Sequence, residues 1–540
     1  MEDSQTLGAK ARPVPIQDPV DRAPRDDLER QVLPEKSEST STPQASNLAS
    51  VHQIDVLALK YSSIYIANVH AKVTWDGPDD PANPKNWAYR RKWTVTIITG
   101  VYTFISPIST SIVAPALSSI GAALQIQSAF LLSLCLSIFI LAYAFGPFLI
   151  GPLSEVYGRV LVLQLANLFY LVFNTACGFA QDATQMVVFR FLAGLGGSAP
   201  FVIGAGILAD CWAAEERGRS IAIYTLAPLL GPVLGPVMGG FITERISWRW
   251  VFWVISIADG AVQVLGFLLL RETYAPTILA KKAQKLREAS GNQAWHTKWE
   301  TPGRTFSKIL KLAFVRPFVL LGTQPIIQVL AVYLGYLYGV VYIVLTTLPT
   351  LWTERYHESI GIAGLNYISL GFGYVIGTQS TARLNDTIYK VLKKRSGKDV
   401  GRPEFRLPLL VPGAILVPLG LLWYGWSAEA HVHWIMPNIG IAIFGVGMKI
   451  ATQCTQTYAV DTYTLYTASA GAASLFLRSL MGFSFPLFAP YMYAKLGYGW
   501  GNSLLALIAA LIGLPAPLLL WKYGPWLRGK SQYAAGGEEP

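Results

Sequence analysis

Gly231-Pro-Val-Leu-Gly-Pro-Val-Met-Gly-Gly240 lies inside a long apolar run, and its reading decides the fold. Glycine recurs at Gly231, Gly235 and Gly239, so on a helix the three share one stripe. A stripe without side chains lets a second backbone come close, the small-xxx-small device of membrane helices. Pro232 and Pro236 each remove a helical hydrogen bond, which a bilayer tolerates only where the helix faces protein or a cavity. The stretch therefore reads as a bendable, closely packed helix inside a membrane bundle. An ordinary dimerising helix would need one glycine pair and no proline.

The composition agrees. Of 540 residues, 52% are hydrophobic and 14% charged, against roughly 25% charged in soluble proteins. Apolar segments of about 20 residues, the length that crosses a bilayer, recur along most of the chain. Cys135, Cys177, Cys211 and Cys454 are scattered with no CxxC pair and read as small core residues, not a disulfide framework or metal site. The start, Met-Glu-Asp-Ser-Gln, lacks a basic stretch followed by an apolar run, so no cleavable signal peptide is expected.

Residues 1–85 are rich in Pro, Ser, Asp and Glu and read as a mostly disordered cytosolic tail, mildly amphipathic over 51–68. They end in the turn-rich Asp80-Pro-Ala-Asn-Pro-Lys-Asn-Trp87. Six spans are expected in 86–270, near 93–116, 129–151, 160–180, 186–210, 220–243 and 249–270. A basic cytosolic loop, 271–316, follows. Six more spans are expected in 317–525, near 318–346, 359–382, 406–426, 434–460, 466–492 and 500–522, and a cytosolic tail, 526–540, closes the chain.

Lys and Arg set the orientation. They crowd the loops after spans six and eight, and are absent from the loops after spans one and three. Both termini then share the cytosolic side, as an even number of spans requires. The net charge of +11 is thus a topological signal, and no nucleic acid is expected as a partner.

Three motifs carry chemistry. After span two stands Gly151-Pro-Leu-Ser-Glu-Val-Tyr-Gly-Arg159, where Gly151 and Gly158 permit a tight turn and Glu155 and Arg159 can form charge-assisted hydrogen bonds. Here the chain resembles the major facilitator superfamily, whose signature in this loop is Gly-x-Leu-(Ser/Ala)-(Asp/Glu)-x-x-Gly-Arg; Val160 stands where that family usually has another basic residue. Span four holds Arg190-Phe-Leu-Ala-Gly, and an arginine in an apolar span costs several kcal/mol unless paired or facing water. The residue reads as facing an aqueous cavity. Drug:proton antiporters of the superfamily are similar here, and the resemblance implies a role for Arg190 in proton coupling. Gly231, Gly235, Pro236, Gly239 and Gly240 resemble the antiporter signature of span five. The Asp80–Trp87 turn, Glu215-Glu-Arg-Gly-Arg-Ser220, Asp461-Thr-Tyr463 and Phe485-Pro-Leu-Phe488 are similar to fungal twelve-span members that export drugs, polyamines or secondary metabolites.

The resemblance implies an all-α major facilitator fold with two six-helix bundles related by a pseudo-two-fold axis. It also implies that spans one, four, seven and ten line the central cavity. Gln324, Gln328 and Tyr336 on span seven, and Lys449, Gln453 and Gln456 on span ten, are the candidates there. Such groups suit an amphipathic, anionic or polyketide-like ligand; equally, they can bond neighbouring helices. Asp259, Asp461 and Arg478 are further charged groups in or beside apolar runs, and Asp259 is a candidate proton carrier. Span one has Ser106, Ser109, Thr110 and Ser111 but no carboxylate, so the protonating group stays open.

No Walker A sequence, His-Glu-x-x-His or metal-ligand framework is present, so no enzyme, cofactor or metal is expected. The expectation is a monomeric proton-coupled efflux antiporter of the plasma membrane, with the vacuolar membrane as the other location. An importer of nutrients or polyamines on the same fold, and a non-transporting receptor, are the rival readings.

Overall fold

The computed structural model describes residues 72–213, 216–300, 306–397, 401–464 and 466–534. The expected tail over 1–71, its amphipathic stretch 51–68, Glu215 and residues 535–540 lie outside them. Eleven helical stretches among the described residues are long and apolar enough to cross a bilayer. The first six are Tyr89–Ala123, Ala129–Tyr157, Arg159–Cys177, Ala183–Cys211, Arg219–Arg245 and Arg249–Leu269. The next four are Pro325–Arg355, Ile360–Ser396, Pro403–Glu429 and Ile435–Thr462. The last, Thr467–Gly529, is long enough to cross twice and breaks at Gly497 (φ 69°, ψ 177°). Glycine suits that left-handed break, and the Glu429 carboxylate accepts hydrogen bonds from the freed Tyr498 and Gly499 amides at 2.7 and 3.1 Å. Residues 467–496 and 498–529 are thus spans eleven and twelve.

The chain is an all-α membrane protein of twelve spans in two six-helix bundles. Span one packs on span five, span four on spans two and three, and span six on span three. The second half repeats the plan, with span ten lying against spans eight and nine. The outward faces carry side chains such as Phe267, 75% exposed, and Leu511, 66% exposed; these suit acyl chains, not water. The two bundles meet where span two packs on span eleven and span five on span eight.

Prolines shape the spans that face the interior. Span four is two helices, Ala183–Gly197 and Ala199–Cys211, broken at Ser198 just ahead of Pro200. Before span seven a separate helix, Phe306–Thr323, runs through the expected 316/317 boundary. Pro325 cannot continue that helix and restarts the chain as the span.

Residues 72–85, expected to be disordered, are folded. Lys72–Val73 pairs in parallel with His296–Thr297 of the central loop, and Lys282 of the loop helix Ala275–Ser290 holds Asp76 at 2.5 Å. Trp75, Trp295 and Trp299 pack around buried Leu279 and Ala283. The Asp80 carboxylate accepts hydrogen bonds from the Asp76 and Ala82 amides at 2.9 and 2.8 Å, which hold its carboxyl below the usual carboxylate range. Asn86 donates to the Pro78 and Asp80 carbonyls. The Asp-Pro-Ala-Asn-Pro-Lys-Asn motif is therefore a self-capped turn that delivers the chain to span one.

Candidate functional site

The glycines of the opening stretch bring backbones together as their spacing implies. A Cβ on Gly231 would meet Pro107 of span one, one on Gly235 the Ser111 hydroxyl, and one on Gly239 the Ile112 carbonyl. Ser111 Oγ donates to the Gly231 carbonyl at 3.1 Å, closing the seam. Gly240 faces the other bundle: its Cβ would lie 2.7 Å from the Ile360 carbonyl at the start of span eight. Close by, the Glu244 carboxylate accepts from the Gly361 amide at 2.6 Å and from the Ser359 hydroxyl at 3.0 Å. Pro236 belongs to the same closure, since a Cβ on Gly364 would meet its carbonyl at 2.7 Å. Spans five and eight thus shut the interface at one end.

Beneath that seal lies a cavity of about 120 Å³, walled by spans of both bundles. Prolines on spans one, two and five (Pro107, Pro147, Pro228 and Pro232) form part of its wall. Tyr143, Tyr338, Tyr342 and Tyr374 supply aromatic faces, and Lys449 and Arg478 supply charge. It shares Pro147, Phe201 and Leu475 with a second, more open cavity of about 530 Å³, lined by Glu155, Arg159 and Arg316 near the Lys/Arg-rich segments. The path is closed at the opposite end and continues toward the basic end.

Of the expected cavity residues, Lys449 lies in the wall, and Arg478, expected only as an additional charge, joins it. The others do not. Gln324 sits at the break before span seven, bonded to Ser531 at 2.6 Å, and Gln328 donates to the Gly322 carbonyl at 3.0 Å. Both lie at the end of the span, because the span begins only at Pro325. Tyr336 points away from the interface and donates to the Leu505 carbonyl of span twelve at 2.5 Å. Gln453 and Gln456 lie beyond the cavity toward the end of span ten, outside its lining.

Arg190 is fully buried but does not face an aqueous cavity. Its Nη1 donates to the Ser109 carbonyl of span one at 3.0 Å and its Nε to the Cys135 carbonyl of span two at 3.3 Å. The guanidinium lies 4.5 Å from the Phe139 ring centre. No carboxylate pairs with it among the described residues, and Nη2 has no hydrogen-bond partner there. The residue joins spans one, two and four inside the first bundle.

The loop after span two also differs from expectation. Gly158 has φ 102°, a conformation that favours glycine, and a Cβ there would strike the Glu272 carboxylate. Glu272 accepts from the Arg159 and Val160 amides at 3.0 and 3.2 Å, capping span three. The turn directs Arg159 to Asp210 at the end of span four, 2.5 Å away, not to Glu155. Glu155 lines the second cavity, and Gly151 packs near Val202. Asp461 belongs to a comparable tie, with Arg406 at 3.0 Å, and Arg406 also holds Asp386 at 2.6 Å.

Asp259 is fully buried and accepts from the Asn167 side-chain amide at 3.0 and 3.1 Å. The same amide reaches Gln263, which in turn accepts from the Tyr102 hydroxyl at 3.1 Å. Sequence reading missed this cluster. Its signal was Ser256, Asp259 and Gln263 at helical spacing on span six, facing Asn167 and Asn174 seven residues apart on span three.

Residues 99–486 match the family model described as Major Facilitator Superfamily. The chain is 51% identical over 466 residues to "Efflux pump vrtL" of Penicillium aethiopicum, covering 86% of this chain and 92% of that protein. It is 42% identical to "MFS-type transporter penM" of Penicillium rubens, covering 85% and 90%. Among solved structures, the partially occluded inward-open xylose transporter XylE from E. coli aligns with a TM-score of 0.61 at 16% identity, covering 84% of this chain and all of that one. An inward-facing bacterial homologue of the human lysosomal transporter Spinster aligns with a TM-score of 0.59 at 14% identity, covering 81% and 99%. The chain is a multi-pass membrane transporter, and it belongs to the major facilitator superfamily.

Proposed function

We propose that the protein is a proton-coupled antiporter that exports small organic molecules, such as drugs, toxins or secondary metabolites. It acts as a monomer in the plasma membrane, with both termini and both basic loops in the cytosol. The observation that carries this reading is the central cavity, sealed by Gly240, Glu244 and the start of span eight and continuous with the basic end. On the proposed orientation that end is cytosolic, so a molecule inside the cell has access and the outer path is shut. Rocking of the two bundles about the cavity would then reverse the access. The similarity to proteins named as efflux pumps supports the outward direction.

The driving force proposed is the proton gradient. Each proton moved inward through 100 mV contributes about 2.3 kcal/mol, roughly fortyfold in substrate ratio. One or two protons therefore sustain useful efflux.

The test is an accumulation screen in cells lacking their own pumps, with and without a protonophore. Expression should lower accumulation of the transported compounds, and the protonophore should restore it. Accumulation raised by expression would make the protein an importer. Accumulation of every compound unaffected by expression would remove the export reading.

A further inference from the structure

The cavity wall carries two cations and, among the described residues, no carboxylate. Lys449 of span ten and Arg478 of span eleven both line it, and neither forms an ion pair among the described residues. Arg478 Nη1 donates to the Tyr338 hydroxyl at 3.2 Å, and its guanidinium lies 4.2 Å from that ring's centre. The Lys449 ammonium lies 4.4 Å from the centre of the Tyr374 ring and has no hydrogen-bond partner among the described residues. Ring faces hold the two cations in place, yet they satisfy a cation far less fully than an anion does. Like charges held in one low-dielectric cavity are costly, and a bound anion removes that cost. Arg159, Arg406 and Arg528, by contrast, have carboxylate partners, and Arg190, which has none among the described residues, is held by two backbone carbonyls outside the cavity.

We infer that the transported molecule is an organic anion with an aromatic or multi-ring body, its charge held jointly by Lys449 and Arg478. The inference rests on the export reading for the word "transported", but the binding site it describes does not. A carboxylate or an acidic phenol or enol, ionised at cytosolic pH, has the required charge. Tyr342 and Phe201 offer the ring body aromatic surface beside the charged pair. An organic cation of the same size meets two like charges and no counter-charge. A neutral analogue keeps the stacking and loses the charge-assisted hydrogen bonds.

The test uses the full-length chain in lipid nanodiscs and three probes of one shape: 1-pyrenebutyrate, its amide and 1-pyrenebutylamine, with binding read by fluorescence. The butyrate should bind at least about tenfold more tightly than the amide, the ratio expected from one charge-assisted hydrogen bond, and the amine most weakly. Lys449→Met and Arg478→Gln should each remove most of that preference, lowering butyrate affinity more than amide affinity, because only the butyrate brings a negative charge to the pair. Lys449→Glu should favour the amine. Equal or absent binding of the three probes by the wild-type protein overturns the inference, as does a preference for the butyrate that survives both neutralising substitutions. The assay contains no gradient and reads no direction of flux. An anion preference without efflux in cells would therefore refute export alone, and efflux without an anion preference would refute this site alone.

Discussion

Asp461 accepts a hydrogen bond from Arg406 Nε at 3.0 Å, in the place within the second bundle that Asp210 and Arg159, 2.5 Å apart, hold in the first. Arg159 begins the third span of its bundle, and Arg406 lies at the start of the corresponding ninth. Asp210 and Asp461 each lie at the end of the fourth span of their bundle. The parallel extends to the last spans. Glu272, after span six, caps span three, while Arg528 at the end of span twelve pairs with Glu404 at the start of span nine, at 2.9 Å. The halves share little motif sequence, yet both are tied at the same corner.

These ties lie within bundles, so rocking of one bundle against the other leaves them intact. Their loss should therefore cost stability. Asp461→Asn should destabilise the purified protein by about 1–3 kcal/mol, between the values for exposed and buried pairs. Asp386→Asn should cost less, because that side chain is 66% exposed. Thermal unfolding in detergent checks this, and an unchanged midpoint for Asp461→Asn would refute the role.

The glycine seam tolerates little. Leucine at Gly235 would push against the Ser111 hydroxyl and lie 3.0 Å from the Ile108 carbonyl already at its Cβ, so spans one and five must separate. Overfilling of this kind costs about 1–3 kcal/mol. Gly235→Leu and Gly239→Leu should abolish transport at normal expression. Gly260→Leu should be silent, because nothing lies within 4 Å of a Cβ there. Wild-type flux through Gly235→Leu would count against close packing as the purpose of the stripe.

Arg190→Ala should abolish gradient-driven efflux from energised vesicles while leaving protein levels normal. The guanidinium bonds the Ser109 and Cys135 carbonyls together, and a lysine ammonium cannot reproduce that planar fork. Arg190→Lys should accordingly keep the charge and recover only a fraction of the flux. Full activity in either variant would reject the coupling role proposed for this residue.

For Asp259 the expected result is milder. Asn at this position still offers one oxygen to the Asn167 amide, so Asp259→Asn should keep more than half of the gradient-driven flux. Asp259→Leu leaves that amide without its acceptor there, a loss of about 1–3 kcal/mol for a buried donor. Loss of proton dependence in Asp259→Asn, with probe binding retained, would instead make Asp259 the proton carrier.

Length and hydropathy by themselves determined the twelve spans, because each segment must satisfy its own backbone in lipid and so declares itself locally. Gly158, Gly235 and Gly239 were legible for a similar reason: a turn or a close approach demands glycine whatever surrounds it. Residues 72–85 misled because their composition is polar, while their order comes from pairing with a strand more than 200 residues away. The cavity wall could not be read either. Helical spacing shows that Gln324 and Gln328, or Gln453 and Gln456, share a face, but not how far along the bilayer normal that face lies or which neighbour it meets. Arg190 shows the same limit, since an arginine in an apolar helix can face water or bond the carbonyls of neighbouring helices. Tertiary packing alone decided between these, and it placed Lys449 and Arg478, from two different spans, in one wall.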